Sequence, residues 1–260
     1  MANPEWDNYD PDSDLLKPYK YAWPKADHTV DAVVFGIDEG LLKILLIERG
    51  RKKEPFYGRW ALPGGFIRME ETLEQAVRRE LEEETGLTLS YLEQLYTFGA
   101  PHRDPRGRVI STAYLGLVRP SEVAVEGGDD AAKAEWFPVG DLEGVGDDAI
   151  AKIEKGIPLA FDHPKIVRCA LRRLRSKLRW QPVGIELLPR KFTMTELRVV
   201  YEIILGEKLD KRNFRTKVMR FGVLAPAKGK RTGRHRPAQL YTFDRARYDL
   251  LRELGEDFEV

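Results

Sequence analysis

The stretch from Gly65 to Leu87 constrains this chain more than any other. It reads Gly65-Phe-Ile-Arg-Met-Glu-Glu71-Thr-Leu-Glu-Gln-Ala-Val-Arg-Arg79-Glu80-Leu81-Glu-Glu83-Glu84-Thr-Gly86-Leu87. On a helix turning about 100° per residue, with Leu73 at zero, Val77, Leu81 and Ala76 fall at about +40°, +80° and −60°. Glu80, Glu84 and Glu83 then fall at about −20°, +20° and −80°, so the apolar stripe becomes carboxylate in its second half. Acids at i, i+3 and i+4 repel by about 0.2–0.5 kcal/mol per pair even when exposed, and burial raises the cost. A solvated acidic face is the ordinary reading of a Glu-rich helix, but these acids continue the buried stripe. They call for a counterion. Carboxylates without histidine or thiolate are hard oxygen donors suited to Mg²⁺ or Mn²⁺, which points to phosphate chemistry.

The segment resembles the Nudix box: Gly65, five residues, Glu71, seven residues, Arg79-Glu80-Leu81, one residue, Glu83-Glu84, one residue, Gly86-Leu87, with every position matched. Its context agrees, since Trp60-Ala-Leu-Pro-Gly64-Gly65 ends an apolar run and Gly86 stands where a left-handed cap would close the helix. The resemblance implies that Glu83 and Glu84 are core metal ligands and that Glu80 completes the set. Arg79 and Glu71 would be a supporting pair, and the family's reaction is cleavage of nucleoside diphosphates linked to another group, with Mg²⁺ or Mn²⁺. Gly64 and Gly65 would lie against the substrate. Glu126, Asp129 and Asp130, in Glu126-Gly-Gly-Asp-Asp130, are candidates for the general base. Arg103 and Arg106 are candidate phosphate clamps, and Tyr57, Phe66 or Phe98 could stack a base.

At 260 residues the chain suits one large or two modest domains. The lone cysteine, Cys169, excludes an internal disulfide and suits a reducing compartment. With no apolar run near the roughly 20 residues of a membrane span and no signal-peptide pattern at its start, a cytoplasmic protein is expected. The net charge of +1 hides a division: residues 161–260 carry 24 Lys+Arg against 12 Asp+Glu, net +12, and residues 1–160 carry 19 against 30, net −11. A basic half of this kind points to nucleic acid or an anionic surface.

Residues 1–24 read as an arm without period. Strands are expected at 29–37 and 42–48 around the turn Asp38-Glu-Gly40, and near 91–99, 109–118 and 133–137, with a second helix near 148–155. This is an α/β (α+β) arrangement, a mixed sheet between helices, over residues 25–160. Asp162, as N-cap, and Pro164 start a connector helix over 161–183, with Val167, Ala170, Leu171, Leu174 and Leu178 on one stripe. Pro182 and Pro189 bracket a short loop.

A second domain is expected over 184–260. Thr193-Met-Thr-Glu196 is a capping box for a helix ending at Gly206. Asp210 caps another, with Phe214, Val218 and Phe221 inward, Gly222 as its stop, and Arg212, Asn213, Arg215, Thr216 and Arg220 on the outer face. Strands at Val223-Leu-Ala-Pro and Gln239-Leu-Tyr-Thr-Phe243 then flank a basic tip, Lys228 to Arg236, containing Lys230, Arg231, Arg234 and Arg236. This is the layout of a winged helix-turn-helix that binds double-stranded DNA.

The whole resembles Nudix-related transcriptional regulators of NAD metabolism. The resemblance is carried by both halves and by Arg103-Asp-Pro-Arg106, Phe161-Asp-His-Pro164 and Leu209-Asp-Lys-Arg-Asn-Phe-Arg215. It implies a Nudix α/β/α sandwich joined to a small winged helix, ADP-ribose or a related nucleotide as ligand, operator DNA as partner, and a homodimer. Because the box is complete, hydrolysis is expected as well. The alternatives are a plain ADP-ribose pyrophosphatase whose winged domain serves dimerisation, and a sensor without turnover.

Overall fold

A two-residue turn sets the first hairpin. In the computed structural model, which describes residues 25–120, 131–145, 156–231 and 237–254, Glu39 and Gly40 adopt φ of 52° and 75°. Two successive positive φ values give a turn whose twist matches that of antiparallel strands. Across it pair β1 (Asp27–Asp38) and β2 (Leu41–Arg49), with Asp38 opposite Leu41. The other side of β1 pairs in parallel with β6 (Val109–Leu117), which carries β5 (Tyr91–Phe98) antiparallel on its far edge. β7 (Ala131–Pro138) and the short β3 (Trp60–Ala61) pair with β2, and β4 (Gly64–Phe66) pairs with β1.

The central strand has no polar face, because helices cover both sides. Val30, Ala32 and Val34 point into one core, with Ala76, Val77 and Leu81 of α1 (Leu73–Thr85). Val33 and Phe35 point into the other, with Ile166, Val167, Ala170 and Leu174 of α2 (His163–Trp180). Alternate residues of a strand face opposite ways, so a run buried on both faces is what a sheet between helices requires. The expected mixed sheet in an α/β/α sandwich is therefore the observed one.

The core under α2 does not stop at this sheet. Leu171, Leu174 and Leu178 belong to the same apolar cluster as Phe192, Leu197, Val200, Tyr201 and Phe214 of the C-terminal unit. That unit comprises β8 (Phe192–Thr193), α3 (Met194–Leu205), α4 (Lys211–Arg220), β9 (Leu224–Arg231), β10 (Ala238–Phe243) and α5 (Arg245–Glu253). Its three strands run in the order β8-β10-β9. Thr193 and Glu196 form the expected capping box, with bonds of 3.1 and 2.7 Å. The Asp210 carboxylate accepts from the Asn213 amide at 2.7 Å, and Gly206 closes α3 at φ 76°.

Several local expectations differ. Asp162 makes no side-chain cap on α2, because its carboxylate accepts two bonds from Arg103, at 2.7 and 3.3 Å. The stretch between Pro182 and Pro189 contains a 3-10 turn, Val183–Leu187. β9 runs on to Arg231, so Lys228, Lys230 and Arg231 belong to a strand, with a register shift opposite Gln239–Tyr241 that Gly229 accommodates at φ 99°. The short strands β3, β4 and β8 and the helix α5 are additions to the expected elements. The arm 1–24 and the helix expected near 148–155 lie outside the described residues.

Candidate functional site

The acid-bearing end of α1 is held by a loop that has room for it because it lacks side chains. α1 starts in a capping box between Thr72 and Gln75 and ends at Gly86, φ 68°. These caps fix which residues face the sheet. Glu84 is 8% exposed, continuing the stripe of Ala76, Val77 and Leu81, and its carboxylate accepts from the Gly64 amide at 2.8 Å. A Cβ on Gly65 would lie 2.5 Å from Glu80 Oε1. A Cβ on Gly64, at φ 153°, would lie 2.1 Å from the Val30 carbonyl oxygen. The Gly-Gly pair thus lets strand, loop and two carboxylates share one space.

Arg79 is the hub of the acids. Its Nε and Nη2 donate to the two oxygens of Glu71 at 2.9 and 2.6 Å, and Nη1 donates to Glu80 at 2.7 Å and Glu83 at 3.0 Å. Nη2 also reaches the Phe66 carbonyl, 3.1 Å away. A guanidinium matches a carboxylate through two parallel bonds, and here it holds the Glu71 carboxyl down to about 2. Burial pushes the Glu80 carboxyl up, against the pull of Arg79. Glu83 is the most open of the three proposed ligands, its side chain 47% exposed, and also meets Arg68 at 3.2 Å.

Glu80, Glu83 and Glu84 line one cavity of about 430 Å³, whose lining also includes Arg49, Phe66 and Arg106. Among the described residues no three acidic, histidine or cysteine side chains are gathered closely enough to hold a metal ion as they stand. The donor set nevertheless fits a hard divalent cation of the kind that keeps waters and is completed by substrate phosphates rather than by protein alone. Gly64 and Gly65 line the cavity too. Arg106 stands over the Phe66 ring at 5.1 Å and is held by Asp104, which accepts from Nε and Nη2 at 3.0 and 2.7 Å.

Arg103 is placed otherwise. Its side chain is 3% exposed, bound to Asp162 and 3.6 Å from Asp31, and it does not line the cavity. A phosphate clamp needs access, which Arg103 lacks in this arrangement. Of the aromatic candidates, Phe66 lines the cavity, Phe98 packs on the core beside Tyr96, and Tyr57 is half exposed outside the lining. Cys169 sits half-buried against the same core. Glu126, Asp129 and Asp130 lie outside the described residues. Sequence reading missed Arg49, which ends a strand whose apolar run gives no hint that its last side chain turns to a cavity.

At the other end, α4 buries Phe214 and Val218 and leaves Arg212, Asn213, Arg215, Thr216 and Arg220 exposed. Arg215 donates to the Tyr241 hydroxyl of β10 at 3.2 Å, and the Thr216 hydroxyl donates to the Arg212 carbonyl at 2.9 Å. Lys230 is exposed on β9, while Arg231 folds back to Glu196 at 3.1 Å. Arg234 and Arg236 lie outside the described residues.

Comparison with known proteins agrees with both halves. The Nudix domain model matches residues 27–157, and the model of the NrtR DNA-binding winged helix domain matches residues 184–243. An ADPR responsive transcriptional repressor from Acinetobacter baylyi is 35% identical over 246 residues, covering 94% of this chain and 92% of the relative. The chain belongs to the NrtR family. The crystal structure of Shewanella oneidensis NrtR complexed with a 27mer DNA matches with a TM-score of 0.68 and 36% identity, over 83% of this chain and 92% of that one. The Nudix domain of the same NrtR, complexed with ADP ribose, matches with a TM-score of 0.51 and 34% identity, over 67% and 99%. Within the NrtR family frame, the acid-lined cavity belongs to the Nudix part and the exposed arginines of α4 to the winged helix.

Proposed function

We propose that this chain is an ADP-ribose-responsive transcriptional regulator whose Nudix domain also hydrolyses its ligand. One observation carries the reading: a complete box lines an open cavity on one face of the Nudix sheet, while the helix on the other face shares a continuous core with a winged domain that exposes a basic helix. The similarity to a repressor responsive to ADPR and to a Nudix domain that takes ADP ribose supports the choice of nucleotide. The parts are an arm at 1–24, the Nudix domain at 25–160, a connector at 161–183 and the winged helix-turn-helix at 184–260. The protein acts as a homodimer on operator DNA, in the cytoplasm, on genes of NAD-related metabolism. No helix among the described residues is long and apolar enough to cross a membrane.

In this reading Arg106 and Arg49 pair with diphosphate oxygens, which a planar guanidinium suits. Phe66 offers its ring beside them. Glu80, Glu83 and Glu84 would hold Mg²⁺ or Mn²⁺, and Arg79 with Glu71 keeps their helix in orientation. The bound cation supplies charge neutralisation of the pyrophosphate and acidifies the attacking water. Glu84 additionally fixes the Gly64 amide, so the loop keeps its shape as charge changes in the cavity. Arg212, Asn213, Arg215, Thr216, Arg220, Lys230, Arg231, Arg234 and Arg236 meet phosphates and base edges.

The test is incubation of the full chain with Mg²⁺ and ADP-ribose, following AMP and ribose 5-phosphate, beside DNA binding over a salt series. Turnover together with DNA binding that falls steeply with salt supports the reading. Turnover without salt-dependent DNA binding leaves a plain pyrophosphatase, and DNA binding with tight ADP-ribose but no turnover leaves a sensor.

A further inference from the structure

The segment that starts α2 is stitched to the loop that carries the cavity's glycines. Leu159 bridges Trp60, and the Ala160 amide donates to the Trp60 carbonyl at 2.8 Å. Two residues on, the buried Leu62 amide donates to His163 Nδ1 at 2.9 Å. That bond fixes the tautomer of a neutral imidazole, leaving the proton on Nε2, which faces Asp31 Oδ1 at 3.6 Å. Asp31 in turn accepts from the Ser111 hydroxyl and lies by Arg103, the partner of Asp162. Trp60 and Leu62 lead directly to Gly64 and Gly65, which contact Glu84 and Glu80.

Phe161 lies between this seam and the cavity. Its backbone is left-handed at φ 50°, a conformation that costs energy for an aromatic residue and persists where surroundings hold it. The holders are visible. Arg49 and Arg106, both cavity-lining, stand over its ring at 4.9 and 5.3 Å, and Phe56, itself at φ 63°, packs edge-on at 4.8 Å. From His163, α2 runs without a break into the shared core, where Arg175 donates to the Ile204 carbonyl of α3 at 2.9 Å.

We propose that Phe161-Asp162-His163 is the joint that conveys occupation of the cavity to the winged helix. This rests on the functional reading above and names the regulation of that same site. A phosphate drawn to Arg49 and Arg106 competes with the Phe161 ring for their cationic faces. Phe161 then loses two of the groups that hold its left-handed backbone. The adjoining residues are the first turn of α2, and a small change of direction there is carried along the 18-residue helix to α3 and α4. Packed elements with two discrete arrangements amplify small shifts in this way.

The test compares the full-length wild type with Phe161→Leu and Phe161→Gly. Leucine keeps bulk and the strained φ but loses the aromatic face, and glycine releases the strain as well. DNA affinity is read by fluorescence anisotropy, with and without saturating ADP-ribose, on a duplex selected by the wild type from a random library. The wild type should change its DNA Kd by about fivefold or more on ADP-ribose. Both variants should bind DNA and ADP-ribose separately, with the change reduced to under about twofold. Phe66→Leu, which touches Arg106 but not the seam, should bind ADP-ribose more weakly and retain the full change at saturation. Coupling undiminished in both Phe161 variants overturns the joint while leaving the regulator reading intact. No ADP-ribose effect in the wild type overturns both. Hydrogen exchange of the wild type gives a reading independent of any variant. The Leu62 and Ala160 amides should change protection on adding ADP-ribose, and unchanged protection there counts against the joint.

Discussion

Replacing Arg79 by alanine removes the counter-charge of three carboxylates at once, and its cost can be worked from the geometry. The side chains of Arg79, Glu71 and Glu80 are 17%, 12% and 15% exposed, covered by one another but near the cavity mouth, so the loss of their partner falls between the buried and the exposed case. Breaking a buried pair from one side costs about 3–5 kcal/mol, against about 0–1 kcal/mol for an exposed pair. Glu83, open to water, adds little. Taking about 2 kcal/mol, between these limits, and roughly 2–4 °C per kcal/mol for a protein of this size, Arg79→Ala should lower Tm by about 4–8 °C. The acid limb gives a second signature. Glu71 is held at about 2, below its ordinary 4.5, so its contribution is complete above pH 4.5 and fades as pH falls toward 2. In Arg79→Ala that part of the slope should flatten. Thermal melts by circular dichroism from pH 7 to pH 3, on wild type, Arg79→Ala, Glu71→Gln and the double variant, measure both effects. A Tm change below about 2 °C, or single effects that simply add in the double variant, would refute the claim that this pair is coupled.

Glu83→Gln should abolish Mg²⁺-dependent ADP-ribose hydrolysis while shifting Tm by no more than about 1–2 °C, since exposed substitutions stay near ±0.5 kcal/mol; retained turnover, by product chromatography, would remove Glu83 from the ligand set. Gly65→Ala places a methyl 2.5 Å from Glu80 Oε1, a flexible tip that can swing aside, so activity should fall far more than stability. Gly64→Ala meets the Val30 backbone at 2.1 Å and should fail to fold, as soluble yield and circular dichroism would show. Arg212→Ala and Arg220→Ala should each weaken DNA binding and lower the slope of log K against log salt by about 0.9 for every phosphate that the arginine had neutralised, and an unchanged slope would take that residue off the DNA.

Much of the fold and site is legible in the sequence because it is written in local patterns. The stripe of α1, the caps at Thr193, Asp210, Gly86 and Gly206, and the buried apolar run of β1 need no knowledge of distant residues. The burial of Glu84 follows from its angle on the helix, and the Arg79–Glu71 pair from the box. What stays hidden depends on partners far along the chain. Asp162 looks like a cap because the sequence does not reveal that Arg103, 59 residues earlier, takes its carboxylate. Arg103 looks like a clamp for the same reason. Phe161 and Arg49 meet only in the fold, and a two-residue strand such as β3 has no period to read. The extent of the basic tip is misread because pairing with β10 extends β9 to Arg231, which charge pattern alone does not disclose.

The central claim is that nucleotide and DNA sites on this chain are thermodynamically linked. The most direct measurement is the dissociation constant of a labelled duplex, titrated by anisotropy with and without saturating ADP-ribose, paired with the ADP-ribose constant measured with and without DNA. Glu83→Gln protein keeps the ligand intact during the titration. ADP-ribose should change DNA affinity by a factor of about 5–150, and DNA should change ADP-ribose affinity by the same factor, as linkage demands. Two affinities that are each measurable yet indifferent to the other ligand would contradict it.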